Sequence, residues 1–256
     1  MPCHETVQVA CATLLRHAEA VFLARLLTSL RPDEPKSEGL LALMLLTHAR
    51  RAARIAQGTL VPLEAQDRRL WDAAMIGEGL YLLDRAMARR APGPFQIKAA
   101  IAALHVQTAE GSSTDWPQIA LLYDSLLRME PTPVVRLNRA VALAEAGALP
   151  AALREIETLA VALDGYPQFH AARAELLRRL ARLSEADAAF DRAISLAPTF
   201  ADAAFLRARR SAPVIVQADA DIPVRGQKKA EQTLGPSPTG RSEENGQTAP
   251  STSRGR

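Results

Sequence analysis

"LNRAVAL" (residues 137–143) and "AARAELL" (residues 171–177) fall on one another when the chain is shifted by 34 positions. Arg139-Ala140-x-x-Leu143 lands on Arg173-Ala174-x-x-Leu177, and a further shift brings Arg207-Ala208 into line within "FLRARR" (205–210). The second half of each unit repeats too: Ala152-x-x-x-Ile156 matches Ala186-x-x-x-Phe190, and Pro198 closes the later unit. Tyr123 and Pro131 share the eight-residue spacing of Phe190 and Pro198, which suggests an earlier unit. The small Ala of each Arg-Ala pair lets neighbouring helices approach closely, and the Ile or Phe fills the space between them.

A 34-residue period, helix–turn–helix with A-x-x-x-F and a terminal Pro, is the signature of tetratricopeptide (TPR) repeats. The predicted fold class is therefore all-α: stacked antiparallel helix pairs in a TPR-like helical repeat domain. Composition agrees, since 48% of residues are hydrophobic but only 4% aromatic. Such cores are built from Ala and Leu in close-packed helices, and few stretches alternate as strands require. Periodicity predicts helices near 6–30, 38–56, 67–90, 96–109, 116–130, 134–146, 149–163, 167–183, 185–196 and 200–210. Asp67 opens the third, Asp115 and Ser184 read as N-caps, and "QGTLVPLEAQD" (57–67) reads as a loop. Arg50, Arg51 and Arg54 fall near the end of the second helix, where they complement its dipole. Residues 211–256, rich in Pro, Ser, Gly and Gln, are expected to be disordered. The expected domains are a helical domain over 1–130, repeats over 131–210 and that tail.

The repeat offers two readings of its arginines. Arg139, Arg173 and Arg207 are either regular packing positions or a ladder for acidic peptide groups. Asn138 makes local hydrogen bonds between helices on the first reading. With His170 these form the candidate protein-interaction set: Asn138, Arg139, His170, Arg173 and Arg207.

Catalytic and cofactor patterns are missing from the sequence. There is no phosphate loop, nucleophile elbow or H-E-x-x-H motif, and the five His are not paired at helical spacing. His105 reads as a core or helix-end histidine, Trp71 and Trp116 as core anchors. Asp67, Asp72, Glu78 and Asp84 read as a solvated helix face. Cys3 and Cys11 lack zinc-site spacing. No catalytic, cofactor or metal residues are assigned, and no cofactor is expected. A formal net charge of +3 is too mild to argue nucleic-acid binding. The amino-terminal segment has neither signal-peptide order nor a membrane span, so a cytoplasmic location and no membrane partner are expected.

Five segments together carry a further resemblance: "DEPKSEGLLALMLLTHARRAARI" (33–55), "LEAQDRRLWDAAMIGEGLYLLDRA" (63–86), "PGPFQIKAAIAALH" (92–105), "TDWPQIALLYDSLL" (114–127) and "PVVRLNRAVALAEAG" (133–147). In this order they resemble the C-terminal TPR-like extension of bacterial extracytoplasmic-function (ECF) RNA polymerase sigma factors, over about residues 12 to 208. In that family the promoter-reading domains precede the extension, and this sequence reads as the extension without them. The resemblance implies a regulatory role in transcription initiation, with the sigma-factor core domains or RNA polymerase as protein partner. No specific DNA binding is expected from this chain alone. The alternatives are a free-standing TPR adaptor and a helical enzyme using His105 or the 67–84 carboxylates.

Overall fold

Proline places many of the helix starts. Pro35, Pro94, Pro133 and Pro167 each occupy the first helical position, where the missing N–H costs nothing and the fixed φ suits the helix. The computed structural model describes residues 18–213, apart from 33, 57 and 109–113. All of these fall in one compact unit, Met1–Ala218. The described helices are α1 (18–30), α2 (Pro35–His48), α3 (Ala73–Ala88), α4 (Pro94–Gln107) and α5 (Trp116–Leu127). They continue with α6 (Pro133–Glu145), α7 (Leu149–Glu157), α8 (Pro167–Arg179), α9 (Leu183–Ser195) and α10 (Phe200–Arg210). Consecutive helices from α2 onward pack against one another, and α2 also packs on α4. The all-α stack of antiparallel pairs expected from the sequence is what forms.

The 34-residue period persists in hydrogen-bond detail. Helices α6 and α8 start at Pro133 and Pro167, and α7 and α9 at Leu149 and Leu183, each pair 34 apart. Gly147 (φ 95°) and Ala181 (φ 57°) end α6 and α8 in the left-handed region. The following amides, of Ala148 and Arg182, reach back to the carbonyls of Leu143 and Leu177, both at 2.9 Å. This closure satisfies the end carbonyls of each helix and turns the chain sharply into the next. Ala140 and Ala174, both fully buried, sit where neighbouring helices come closest; Ile156 and Phe190 fill the gaps, in one core shared by α6 to α9.

Two further cores carry the rest. Ile97, Ile119, Leu126, Val135 and Ala142 join α4, α5 and α6, so this core runs across position 130. Leu41, Leu45, Trp71, Leu83 and Val106 belong to a core of α1 to α4. Gly39 lets α4 come close to α2: a Cβ there would stand 2.9 Å from the Gln96 side chain. Buried Gln96 then donates to the Pro35 carbonyl (2.7 Å) and accepts from the Gly93 amide (3.1 Å). Glu38, also buried, meets Arg85 at 2.6 Å and Arg89 at 3.6 Å, tying α2 to α3.

Several boundaries differ from the sequence reading. Helix α2 ends at His48, and Arg50 lies in the turn after it, stacked near Trp71 rather than on an exposed helix end. The stretch 57–67 is more than a loop: Ile55–Ala56 (β1) pairs antiparallel with Thr59–Leu60 (β2), and Leu63–Ala65 forms a 3-10 turn. Asp67 caps only the 3-10 turn Arg68–Leu70; Asp72 caps α3 by accepting from the Met75 amide. The break between them leaves Trp71 extended, and that conformation lets the ring bury. The 67–84 carboxylates therefore do not share one helix. Helix α7 stops at Glu157 because Thr158 and Leu159 tighten onto the carbonyls of Glu155 and Ile156. Ser184 is no cap, since α9 begins at Leu183 and the Arg182 carbonyl accepts from Ala186. Asp115 does cap α5, accepting from Gln118 at 2.9 Å. Cys3, Cys11 and the expected tail from residue 214 lie outside the described residues.

Candidate interaction face

The five residues singled out from the repeat do not come together. Asn138 is exposed on α6. Arg139, on the same helix, donates from Nε to Asp124 of α5 (2.5 Å) and from Nη1 to Glu155 of α7 (2.6 Å). It clamps α6 to the helices on either side. His170 is buried on α8 with Nε2 2.7 Å from the Asp164 carbonyl oxygen. That oxygen can only accept, so Nε2 carries the proton. Arg173 is half-buried without an ion pair among the described residues; its charge adds to the stronger pull of Arg182 that keeps the Glu185 carboxyl below its ordinary range. Arg207 is exposed on α10.

A second face of the same helices is better built for binding. Two residues along an α-helix is about 200° of rotation, so positions two after the arginines look the opposite way. There α6, α8 and α10 line a cleft of about 500 Å³ with Glu145, Glu175, Arg178, Arg179 and Arg209. Opposite charges occupy equivalent positions of successive units and pair across the repeat. Arg179 meets Glu145 at 2.7 Å, and Arg209 meets Glu175 at 3.1 Å, each pair 34 residues apart. Burial alone would raise the Glu175 carboxyl; Arg178 and Arg209 outweigh it and hold the group below its ordinary value. Glu64, from the 3-10 turn after β2, reaches in to 3.6 Å from Arg209.

Next to this charged cleft lies a smaller apolar one of about 190 Å³, walled by Ala171, Pro198, Phe205 and Leu206 and touched by Leu60 of β2. Ala171 and Phe205 are again 34 residues apart. The period that marks the arginines also contains this face. Its signal in the sequence is the sign alternation Glu145/Arg179 and Glu175/Arg209, which the Arg-Ala pattern overshadows.

A known protein with a solved structure shares this architecture. The crystal structure of TTC0263, a thermophilic TPR protein of Thermus thermophilus, matches with a TM-score of 0.53 over 80% of this chain and 94% of that one. The fold is TPR-like. Sequence identity to that protein is 21%, so the likeness concerns the fold alone. Residues 5–87, ahead of the TPR-like repeats, match the model of a family of unknown function (DUF6596). An uncharacterized protein of Rhizobium meliloti (strain 1021) is 51% identical over 190 residues, 74% of this chain and 45% of the relative. The chain thus spans less than half the length of that relative. Among the described residues, no cluster of three or more His, Cys, Asp or Glu could hold a metal ion. No described helix is long and apolar enough to cross a membrane.

Proposed function

We propose that this is a protein-interaction domain that holds a partner segment on the face of α6, α8 and α10 that carries the two clefts. One observation carries the reading. That face offers a charged and an apolar cleft side by side, and it already receives Glu64 and Leu60 from the chain itself. A partner segment with an acidic residue near an apolar one would be received in the same way. Chemistry has no part in this reading: the domain acts by holding, not by catalysis.

The sequence resemblance supplies the partner. On that reading the domain is the regulatory extension of an ECF sigma factor, and it binds the sigma-factor core domains or RNA polymerase during transcription initiation. The relative from Rhizobium meliloti supports this, because more than half of its length lies outside the matched stretch. A domain joined to another part would look so. With a net charge of +3 and no recognition helix among the described residues, the chain on this reading selects no promoter by itself. A free-standing TPR adaptor is the second reading, supported by the same TPR-like fold and differing only in partner. Calorimetric titration with sigma-factor core domains supplied as a separate chain decides between them. Saturable binding is expected; a folded protein that releases no binding heat with them leaves the adaptor.

A further inference from the structure

Buried polar side-chain atoms are nearly always hydrogen-bonded, and each exception asks for a missing partner. Among the described residues eight such atoms lack one, and five of the eight belong to residues linked through Arg68, which stacks on Trp71 and bonds the His105 and Thr108 carbonyls. They are Nε of Arg50, Nη2 of Arg68, Nε1 of Trp71, Nδ1 of His105 and Oγ1 of Thr108. The turn after α2 supplies Arg50, the 3-10 turn before α3 supplies Arg68, and the end of α4 supplies His105 and Thr108. The guanidinium carbons of Arg68 and Arg50 stand 4.4 and 6.0 Å from the Trp71 ring centroid. Trp116 closes the far side, its ring centre 5.3 Å from that of His105.

The charges here are all of one sign. Arg68 Nη1 donates to the His105 and Thr108 carbonyls, so the negative end of α4 is already answered while Nη2 stays free. Burial, with the repulsion of Arg54 and Arg68, brings Arg50 down to about 10. Burial, with the repulsion of Arg50 and Arg68, takes His105 down to about 4. The carboxylates flanking the cluster in sequence are engaged elsewhere: Asp67 pairs with Arg69 at 2.8 Å, and Asp72 meets Arg51 at 3.8 Å and caps α3. Guanidinium and indole N–H groups only donate, and the threonine hydroxyl and neutral histidine can donate. Such a set is rich in donors and brings no negative charge of its own.

We propose that Arg50, Arg68, Trp71, His105 and Thr108 form a binding site for a small oxyanion of the phosphate or carboxylate type. Planar guanidinium forks suit either geometry, and the indole gives the cations an apolar floor. Three of the five residues lie within the 5–87 stretch shared with the family of unknown function, and none of the five lines the two clefts of α6, α8 and α10. The site stands independently of the proposed function.

The test uses the full chain with Trp116→Phe, which leaves Trp71 as its one fluorophore of that kind. Inorganic phosphate, acetate and chloride are titrated at constant ionic strength, reading Trp71 fluorescence and melting temperature. Phosphate, acetate or both should give a saturable change and a raised melting temperature that chloride does not reproduce, and the preferred anion names the ligand class. Arg50→Gln should abolish the response; should that variant fail to fold, Thr108→Val should weaken it. An occupied site should also raise the His105 pKa, read by NMR, from about 4. Equal, non-saturating responses to all three anions would overturn the proposal, as would an unchanged response in a folded Arg50→Gln variant. So would an inert parent chain in which Glu110→Gln lowers stability, because the acceptor would then be the chain's own carboxylate.

Discussion

Arg139→Ala separates a packing arginine from an exposed one. The side chain is 26% exposed and its two partners, Asp124 and Glu155, are 39% and 17% exposed. A fully exposed pair is worth about 0.2–1 kcal/mol, and a hydrogen bond to a charged group in a buried setting about 1.5–3 kcal/mol. Arg139 makes two bonds between those limits, and its loss leaves the more buried Glu155 with only Arg136 at 3.6 Å. The expected cost is about 1–3 kcal/mol. Arg173→Ala, at the equivalent position without an ion pair among the described residues, should cost about 0.5 kcal/mol through lost stem packing. Urea unfolding of both variants measures the difference as a shifted midpoint at unchanged slope. A double-mutant cycle with Glu155→Ala should recover a coupling of at least about 0.5 kcal/mol. Equal costs for the two arginines, or no coupling to Glu155, would refute the clamp.

Ala181 holds a left-handed φ of 57° where the preceding unit has Gly147. Relief of about 1–2 kcal/mol of strain, less about 0.4–1 kcal/mol of added unfolded-state entropy, predicts that Ala181→Gly is mildly stabilising. A lower melting temperature for that variant would contradict the closure described. His105 titrates near 4 instead of 6.5 in the folded protein, chiefly through burial. Its folded pKa is depressed, so this stability is complete above about 6.5 and is lost as pH falls towards 4, by up to about 3 kcal/mol. In chloride buffer, wild type should lose more stability over that window than His105→Gln; parallel profiles would show that His105 is not buried neutral.

The sequence made the repeats legible because their spacing constrains packing at every turn. Ala140 and Ala174 are positions where a small side chain is needed, Ile156 and Phe190 positions that a large apolar one fills, and size shows in the sequence. The face that carries the two clefts was less visible. A side chain's direction depends on helical phase, and the conspicuous Arg-Ala pair marks the phase that packs against α5 and α7. The segment 49–72 was the least legible. There short 3-10 turns and a two-residue hairpin break every period, and Asp67 and Asp72 are equally good caps by composition. Burial of Trp71 against the end of α2 chooses between them, which is a tertiary contact. The cluster of Arg50, Arg68 and His105 follows from that choice and has no signature in spacing.

Photo-cross-linking in the host cell tests the central claim most directly. A photoreactive residue is placed at Phe205, in the apolar cleft, or at Arg154, exposed on α7 and lining neither cleft, and each is compared with and without Ala171→Trp. An adduct at 205 that Ala171→Trp abolishes, with none at 154, is the predicted result. Adducts formed at 154 and not at 205, or unchanged by filling the cleft, would place the partner elsewhere and contradict the account.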